Sequence, residues 1–226
     1  TRSTNTGYAC STPERLFSPF AGRRAIMALC ASNTSGPPAT RRPANVEASL
    51  TPELRALASA SFKHQAAGRF VEAAQGYLAV LSRVPDLWSA CYNLGLVYQH
   101  LGRMPEAADM YLRAVKLNPR FAEAYNNLGN VLKALKKDAA AIDAYQRAIN
   151  LNPQLSDASY NLAIMSQARG EHTPAIELFR QAVAANSSHG AAWDALYRGL
   201  LGLKRHEEAI DVFLAWDRAM PPSPEL

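Results

Sequence analysis

The sequence predicts an all-α fold, a right-handed α-solenoid of five consecutive helix pairs, because three series of similar residues recur every 34 residues. Alanines form the first series: Ala73, Ala107, Ala141, Ala175 and Ala209. Aromatic residues form the second series: Tyr77, Tyr111, Tyr145, Phe179 and Phe213. Prolines, interrupted once by Ser187, form the third: Pro85, Pro119, Pro153 and Pro221. A period of this length with these residue types indicates antiparallel helix pairs stacked side by side.

The repeat is most regular in three short segments in which an asparagine precedes a leucine and a small residue. They are Tyr92–Leu96, Asn126–Asn130 and Tyr160–Ile164. At these segments, and at the three series above, the chain resembles the tetratricopeptide repeat family. The resemblance covers about 170 of the 226 residues. It implies a repeat domain over residues 51–226, with five units at 54–87, 88–121, 122–155, 156–189 and 190–223.

Each unit should contain two helices, and the residues at the expected helix ends support this. The segment Thr51-Pro52-Glu53 combines a capping threonine, a first-turn proline and an acid near the positive helix end. Three glycines should end first helices in the left-handed conformation: Gly68, Gly102 and Gly170. The third and fifth units have Lys136 and Lys204 there, so we expect either backbone strain or a different turn.

Residues 1–50 differ in composition from the rest of the chain and are expected to form an irregular, extended or disordered tail. They hold six arginines, two acidic residues and many Ser, Thr and Pro residues. This composition resembles an organelle transit peptide and favours the chloroplast, with the mitochondrion as the alternative. A linker or interaction tail of a cytoplasmic protein is a third interpretation. Because the sequence opens on Thr1 and not on methionine, we also expect a segment upstream.

The charge of the chain limits the classes of ligand. The net charge is +5, and most of the excess lies in the arginine-rich tail, which leaves the repeats nearly neutral. Phosphate binding requires a clustered basic face, so we do not expect nucleic acid as a partner. No apolar run approaches 18 residues, so we expect no transmembrane segment, although peripheral association with a membrane complex is compatible with the sequence.

The sequence carries no pattern that predicts an enzyme. It has no phosphate-binding loop and no HExxH motif. The five histidines are scattered, and no Ser or Cys is spaced to pair with a His and an acid. The three cysteines, Cys10, Cys30 and Cys91, do not have metal-ligand spacing. We therefore predict no catalytic residues, no metal ligands and no cofactor.

The candidate binding site is a groove, because the resemblance implies that first helices line the concave surface of the repeats. The position before the repeated leucine should face that groove, and it holds asparagine in three successive units: Asn93, Asn127 and Asn161. Neighbouring groove positions hold Tyr92, Asn126, Asn130, Lys133 and Tyr160. An amide offers a donor and an acceptor, so these asparagines could bind a peptide backbone of any sequence. The alternative is that they bond only locally.

These features together predict a scaffold that binds protein partners through the groove and through the N-terminal tail. With the transit-like tail, the favoured interpretation is an assembly factor or accessory subunit of a multi-subunit complex of the chloroplast, such as a photosystem. The asparagine series also resembles that of O-linked N-acetylglucosamine transferases, especially over residues 126–133. A regulatory or substrate-binding module of a larger glycosyltransferase-like enzyme is therefore the alternative.

Overall fold

In the computed structural model, residues 50–219 are described, and within that range the chain forms ten α-helices and no strand. The helices, numbered here in chain order, are α1 Pro52–Ala66, α2 Phe70–Arg83, α3 Trp88–His100, α4 Met104–Leu117, α5 Ala122–Ala134, α6 Asp138–Leu151, α7 Ser156–Ala168, α8 His172–Ala185, α9 Gly190–Gly202 and α10 His206–Ala219. The all-α prediction is confirmed. The predictions for the tail lie outside the described residues, except at Leu50.

Each helix packs against the next, so the repeats form a continuous array. The odd-numbered helices are first helices of a pair, and each also contacts the second helix of the preceding pair, except α1. Direct contacts join α1 to α3 and α5 to α7. Successive first helices therefore lie side by side along one side of the array. No helix among residues 50–219 combines the length and the apolar character that a membrane span requires.

The core is built from small residues on first helices facing aromatic rings on second helices. A Cβ atom at Gly95 would lie 2.7 Å from Cε1 of Tyr111, and one at Gly129 would lie 2.5 Å from Cε1 of Tyr145. Both tyrosines are fully buried. Only glycine therefore allows these helices to approach closely enough for the ring to fill the space between them.

The turns inside the helix pairs show why glycine recurs at 34-residue intervals. Gly68, Gly102 and Gly170 have φ angles of 72°, 73° and 78°, which is the left-handed region. Lys136 and Lys204 both have φ of 58°, so these units keep the same left-handed turn without glycine. Of the two alternatives left by the sequence, the strained backbone is observed and the different turn is not.

Candidate functional site

The eight predicted groove residues lie on α3, α5 and α7, the first helices of three successive pairs. Four of them, Asn126, Asn127, Asn130 and Lys133, lie on one face of α5 because their spacing follows the helical period. Asn126 is buried, with 7% of its surface exposed, and the other groove residues are partly exposed. We call the surface formed by the eight residues the groove.

The hydroxyl of Tyr92 connects α3 to α5. The Asn127 side-chain amide donates a hydrogen bond of 3.1 Å to this hydroxyl oxygen. The Tyr92 ring is held in place by an edge-on contact with Phe121, with the ring centroids 4.7 Å apart. Burial raises the pKa of Tyr92, so its hydroxyl stays protonated and keeps one O–H donor after accepting from Asn127. Asn127 is thus a link between units as well as a groove residue.

The amide of Asn161 connects α7 to α5 in a similar way, but with different partners. Its Nδ2 atom lies 3.3 Å from Oδ1 of Asn126 and 3.1 Å from Oδ1 of Asn130, and it donates to both. Asn130 Oδ1 also accepts a hydrogen bond of 2.8 Å from the Tyr145 hydroxyl. Two donors occupy the two lone pairs of this oxygen, which orients the Asn130 NH₂ group away from them.

The identity of residue 133 explains why Asn130 accepts from Tyr145. In the first two units the buried tyrosine hydroxyl donates to a glutamine, from Tyr77 to Gln65 and from Tyr111 to Gln99, each at 3.0 Å. The third unit has Lys133 at the equivalent position, and an ammonium group cannot accept a hydrogen bond. The Tyr145 hydroxyl therefore donates one turn earlier, to Asn130. Burial raises the pKa of Tyr77 to about 12, so its hydroxyl stays a donor.

The groove therefore presents a defined set of unused polar groups among the described residues. Asn93 has no side-chain hydrogen bond with a described residue, so both ends of its amide are available. The carbonyl oxygens of Asn127 and Asn161 accept from no described donor. The Asn130 NH₂ group and the Lys133 ammonium have no described acceptor. The three helices thus offer both acceptors and donors, the two kinds of group that a peptide backbone can bind.

The sequence pattern did not reveal that the asparagines at one repeat position have different partners. Asn127 and Asn161 bond between units and each keeps one unused group, and their partners lie 31 to 35 residues away in the sequence. Peptide binding by the asparagines stays a prediction.

The sequence would have revealed the difference if the glutamine position and the buried aromatic position had been compared together. In the first two units a glutamine accepts the hydrogen bond of the buried tyrosine, as Gln65 does from Tyr77 and Gln99 from Tyr111. Lys133 replaces that glutamine in the third unit, so the bond cannot form there.

The described residues offer little for covalent or metal chemistry. Cys91 is fully buried, and burial raises the pKa of its thiol, which disfavours the nucleophilic thiolate. Within residues 50–219 no three His, Cys, Asp or Glu side chains come together as they would around a metal ion. Cys10 and Cys30 lie outside the described residues.

Comparisons with known proteins agree with this architecture. Two family models of the tetratricopeptide repeat match the chain, one over residues 83–154 and the other over residues 160–224. A crystal structure of MamA is 30% identical, has a TM-score of 0.64 and covers 70% of this chain and 93% of its own. No curated protein matches the sequence at a significant level.

Two more distant structures share the fold. PilF of Pseudomonas aeruginosa is 19% identical with a TM-score of 0.65, covering 75% of this chain and 78% of its own. YrrB, described as a tetratricopeptide repeat protein with an unusual peptide-binding site, is 20% identical with a TM-score of 0.59, covering 74% and 86% respectively.

The chain belongs to the tetratricopeptide repeat family, because both family models and the similarity to MamA point to it. Proteins of this family bind protein partners and are typically interaction scaffolds without catalytic activity. The chain is therefore a scaffold-type protein-interaction module.

Proposed function

We propose that the groove binds an extended segment of a protein partner through its backbone. The observation that carries the proposal is the row of unused amide groups on α3, α5 and α7, flanked by Tyr92 and Tyr160. Backbone N–H and C=O groups alternate along an extended peptide, and the groove offers both acceptors and donors. The name given to YrrB is consistent with this use of the fold, although at 20% identity it supports only the fold itself.

Recognition is divided between two kinds of groove residue. Asn127 and Asn161 are held by hydrogen bonds between units, so their free carbonyl oxygens are pre-oriented before a peptide binds. Asn93 and Lys133 make no such bonds and can adapt to the peptide. Removing either of the first two would disturb the array as well as the ligand, whereas the other two can be changed without breaking a described bond.

A binding experiment can exploit this difference. Ten-residue peptides selected from a random library against the full chain provide a probe of known sequence. The double variant Asn93→Ala with Lys133→Ala should lower the affinity for a selected peptide about tenfold, because two hydrogen bonds are lost. The melting temperature should stay within experimental error. The control is Asn150→Ala on α6, whose amide oxygen accepts from Gln146 at an exposed site outside the groove.

The outcomes separate the alternatives. Undiminished peptide affinity in the double variant would refute binding in the groove. A strongly reduced melting temperature would show that these residues support the array. Selection of peptides whose affinity is equally reduced by Asn150→Ala would place the binding surface on the second helices.

We further propose that the protein serves a multi-subunit complex of the chloroplast, as an assembly factor or accessory subunit. The arginine-rich and acid-poor composition of residues 1–50 supports import, and the near-neutral array supports a protein partner. If this segment is retained, its arginines would provide a second attachment to an acidic partner surface. A fluorescent protein fused behind residues 1–50 should enter chloroplasts, and exclusively mitochondrial or cytoplasmic fluorescence would refute the assignment.

A further inference from the structure

The last helix of the array, α10, exposes a row of large apolar side chains. Ile210, Phe213 and Leu214 are 60%, 53% and 44% exposed and lie on one face of the helix. In the four preceding units the residue equivalent to Phe213 is at most 1% exposed. Those second helices are each covered by the first helix of the next unit, and α10 is the exception among the described helices. Ile210 and Phe213 thus lie on an inter-unit face that no helix among the described residues covers. Leu214 instead occupies the position of Leu78, which is 45% exposed although α3 covers α2.

The first helix, α1, carries the complementary face. Ala56 is exposed, although the alanines at the equivalent position of the later first helices are buried. Those alanines, at most 3% exposed, are Ala90, Ala124, Ala158 and Ala192. Ala60 is likewise exposed, whereas the equivalent leucines of later units are buried. The later first helices pack against a preceding second helix, and no helix among the described residues precedes α1. This difference explains the exposure of both alanines.

We propose that these two faces bind each other between molecules, so that α1 of one copy packs on α10 of the next. The contact would repeat the geometry already present four times within the chain. At the α8–α9 junction a Cβ atom at Gly199 would lie 2.7 Å from Ile176, which is equivalent to Ile210. Lys63 is the residue of α1 equivalent to Gly199. Its stem would therefore cross Ile210 of the neighbouring copy.

The charges favour this occupant over a symmetric contact between two α10 helices. Asp211 and Asp217 flank the apolar row and are exposed. The ammonium of Lys63 would reach past Ile210 towards Asp211, which places opposite charges together. Two α10 helices packed face to face would instead bring together Asp211, Asp217 and Arg218 of both copies, in which acids outnumber bases two to one, and this is less favourable than pairing Lys63 with Asp211. A second copy entering with α1 is therefore the occupant that matches both shape and charge.

The contact joins the α1 face of one molecule to the α10 face of another. An open assembly of any length therefore keeps one free α1 face at one end and one free α10 face at the other. Such head-to-tail contacts generate open chains when the rotation does not close a ring. One helix packed on one helix forms a small interface, so we expect assembly to be reversible and to depend on protein concentration.

Sedimentation velocity of the full chain over a range of concentrations measures this assembly. The unmodified protein should show a mass that rises with concentration above that of the monomer. Phe213→Glu and Ala56→Arg should each remain monomeric, because each destroys one face. An equimolar mixture of the two variants should form one-to-one dimers, since one intact face remains on each. Val71→Glu on α2, where Val71 is 56% exposed, is the control and should assemble normally.

Reversing the charges of Lys63 and Asp211 in separate variants distinguishes loss of the contact from local unfolding, because only loss of the contact can be reversed by mixing the variants. Lys63→Glu and Asp211→Lys should each weaken assembly, because each variant alone brings like charges together at the contact. Mixing the two variants should restore assembly, because both kinds of junction between unlike variants pair opposite charges. A monomer at every concentration would overturn the proposal, as would a mixture of the two face variants that stays monomeric. Normal self-association of Ala56→Arg combined with its loss in Phe213→Glu would instead show a symmetric α10 contact.

Discussion

Gly129→Ala provides a sharp test of how the repeats are packed, because one added carbon meets a fully buried ring. The new Cβ would lie 2.5, 2.7 and 2.9 Å from Cε1, Cδ1 and Cζ of Tyr145, whereas ordinary contacts are 3.4 Å or longer. The ring must move by most of an ångström inside a close-packed core. Overpacking of this kind costs about 1–3 kcal/mol.

Two further contributions decide the net effect of Gly129→Ala. Displacing the ring weakens the hydrogen bond of 2.8 Å from Tyr145 to Asn130, which contributes about 0.5–1.5 kcal/mol. Replacing a helical glycine by alanine stabilises the helix by about 1 kcal/mol in the opposite direction. We expect a net loss of about 2 kcal/mol in the free energy of unfolding, and hence a melting temperature lower by roughly 4–8 °C.

Thermal and urea unfolding followed by circular dichroism at 222 nm measures this loss. The matched control is Gly202→Ala at the end of α9, where a Cβ atom meets nothing within 4 Å and the substitution should be neutral or stabilising. In a Tyr145→Leu background the loss from Gly129→Ala should shrink, because the ring is gone. A stabilising Gly129→Ala, or an equal loss in both backgrounds, would refute the packing argument.

Two other predictions concern a turn and a salt bridge. Lys136→Gly should raise the free energy of unfolding by about 1 kcal/mol, because glycine relieves the left-handed backbone, and Gly102→Ala should lower it by a similar amount; a destabilising Lys136→Gly in the same urea melts would contradict this. The hydrogen bond from Arg205 lowers the pKa of Glu208 below its ordinary value of 4.5, and Arg180 of α8 also donates to this carboxylate at 2.6 Å. Because the folded pKa is the lower one, the bridge should stabilise the fold above pH 4.5 and lose its effect as pH falls through the lowered value. The difference in melting temperature between the unmodified protein and Glu208→Gln should therefore be present at pH 7 and vanish in acid, and a difference independent of pH would contradict this reasoning.

The sequence by itself determined the fold, because each unit repeats the same short-range interactions. Alanine, glycine and aromatic residues recur at one period, so helix type, helix pairing and the small-residue contacts of Gly95 and Gly129 follow from the pattern. The left-handed turns at the glycines also follow from it. At Lys136 the pattern left two alternatives, and only the backbone angle distinguished them.

Only the tertiary structure decided what the groove asparagines do. Asn93, Asn127 and Asn161 occupy the same position in three units, but their side chains have different partners. Asn93 bonds no described residue, Asn127 donates to the Tyr92 hydroxyl, and Asn161 donates to the side-chain oxygens of Asn126 and Asn130 on α5. These partners lie 31 to 35 residues away on another helix. Which partner is available depends on distant substitutions, such as Lys133 diverting the Tyr145 hydroxyl to Asn130. A repeat pattern places a side chain on a face, but the neighbouring helix determines which of its polar groups remain free.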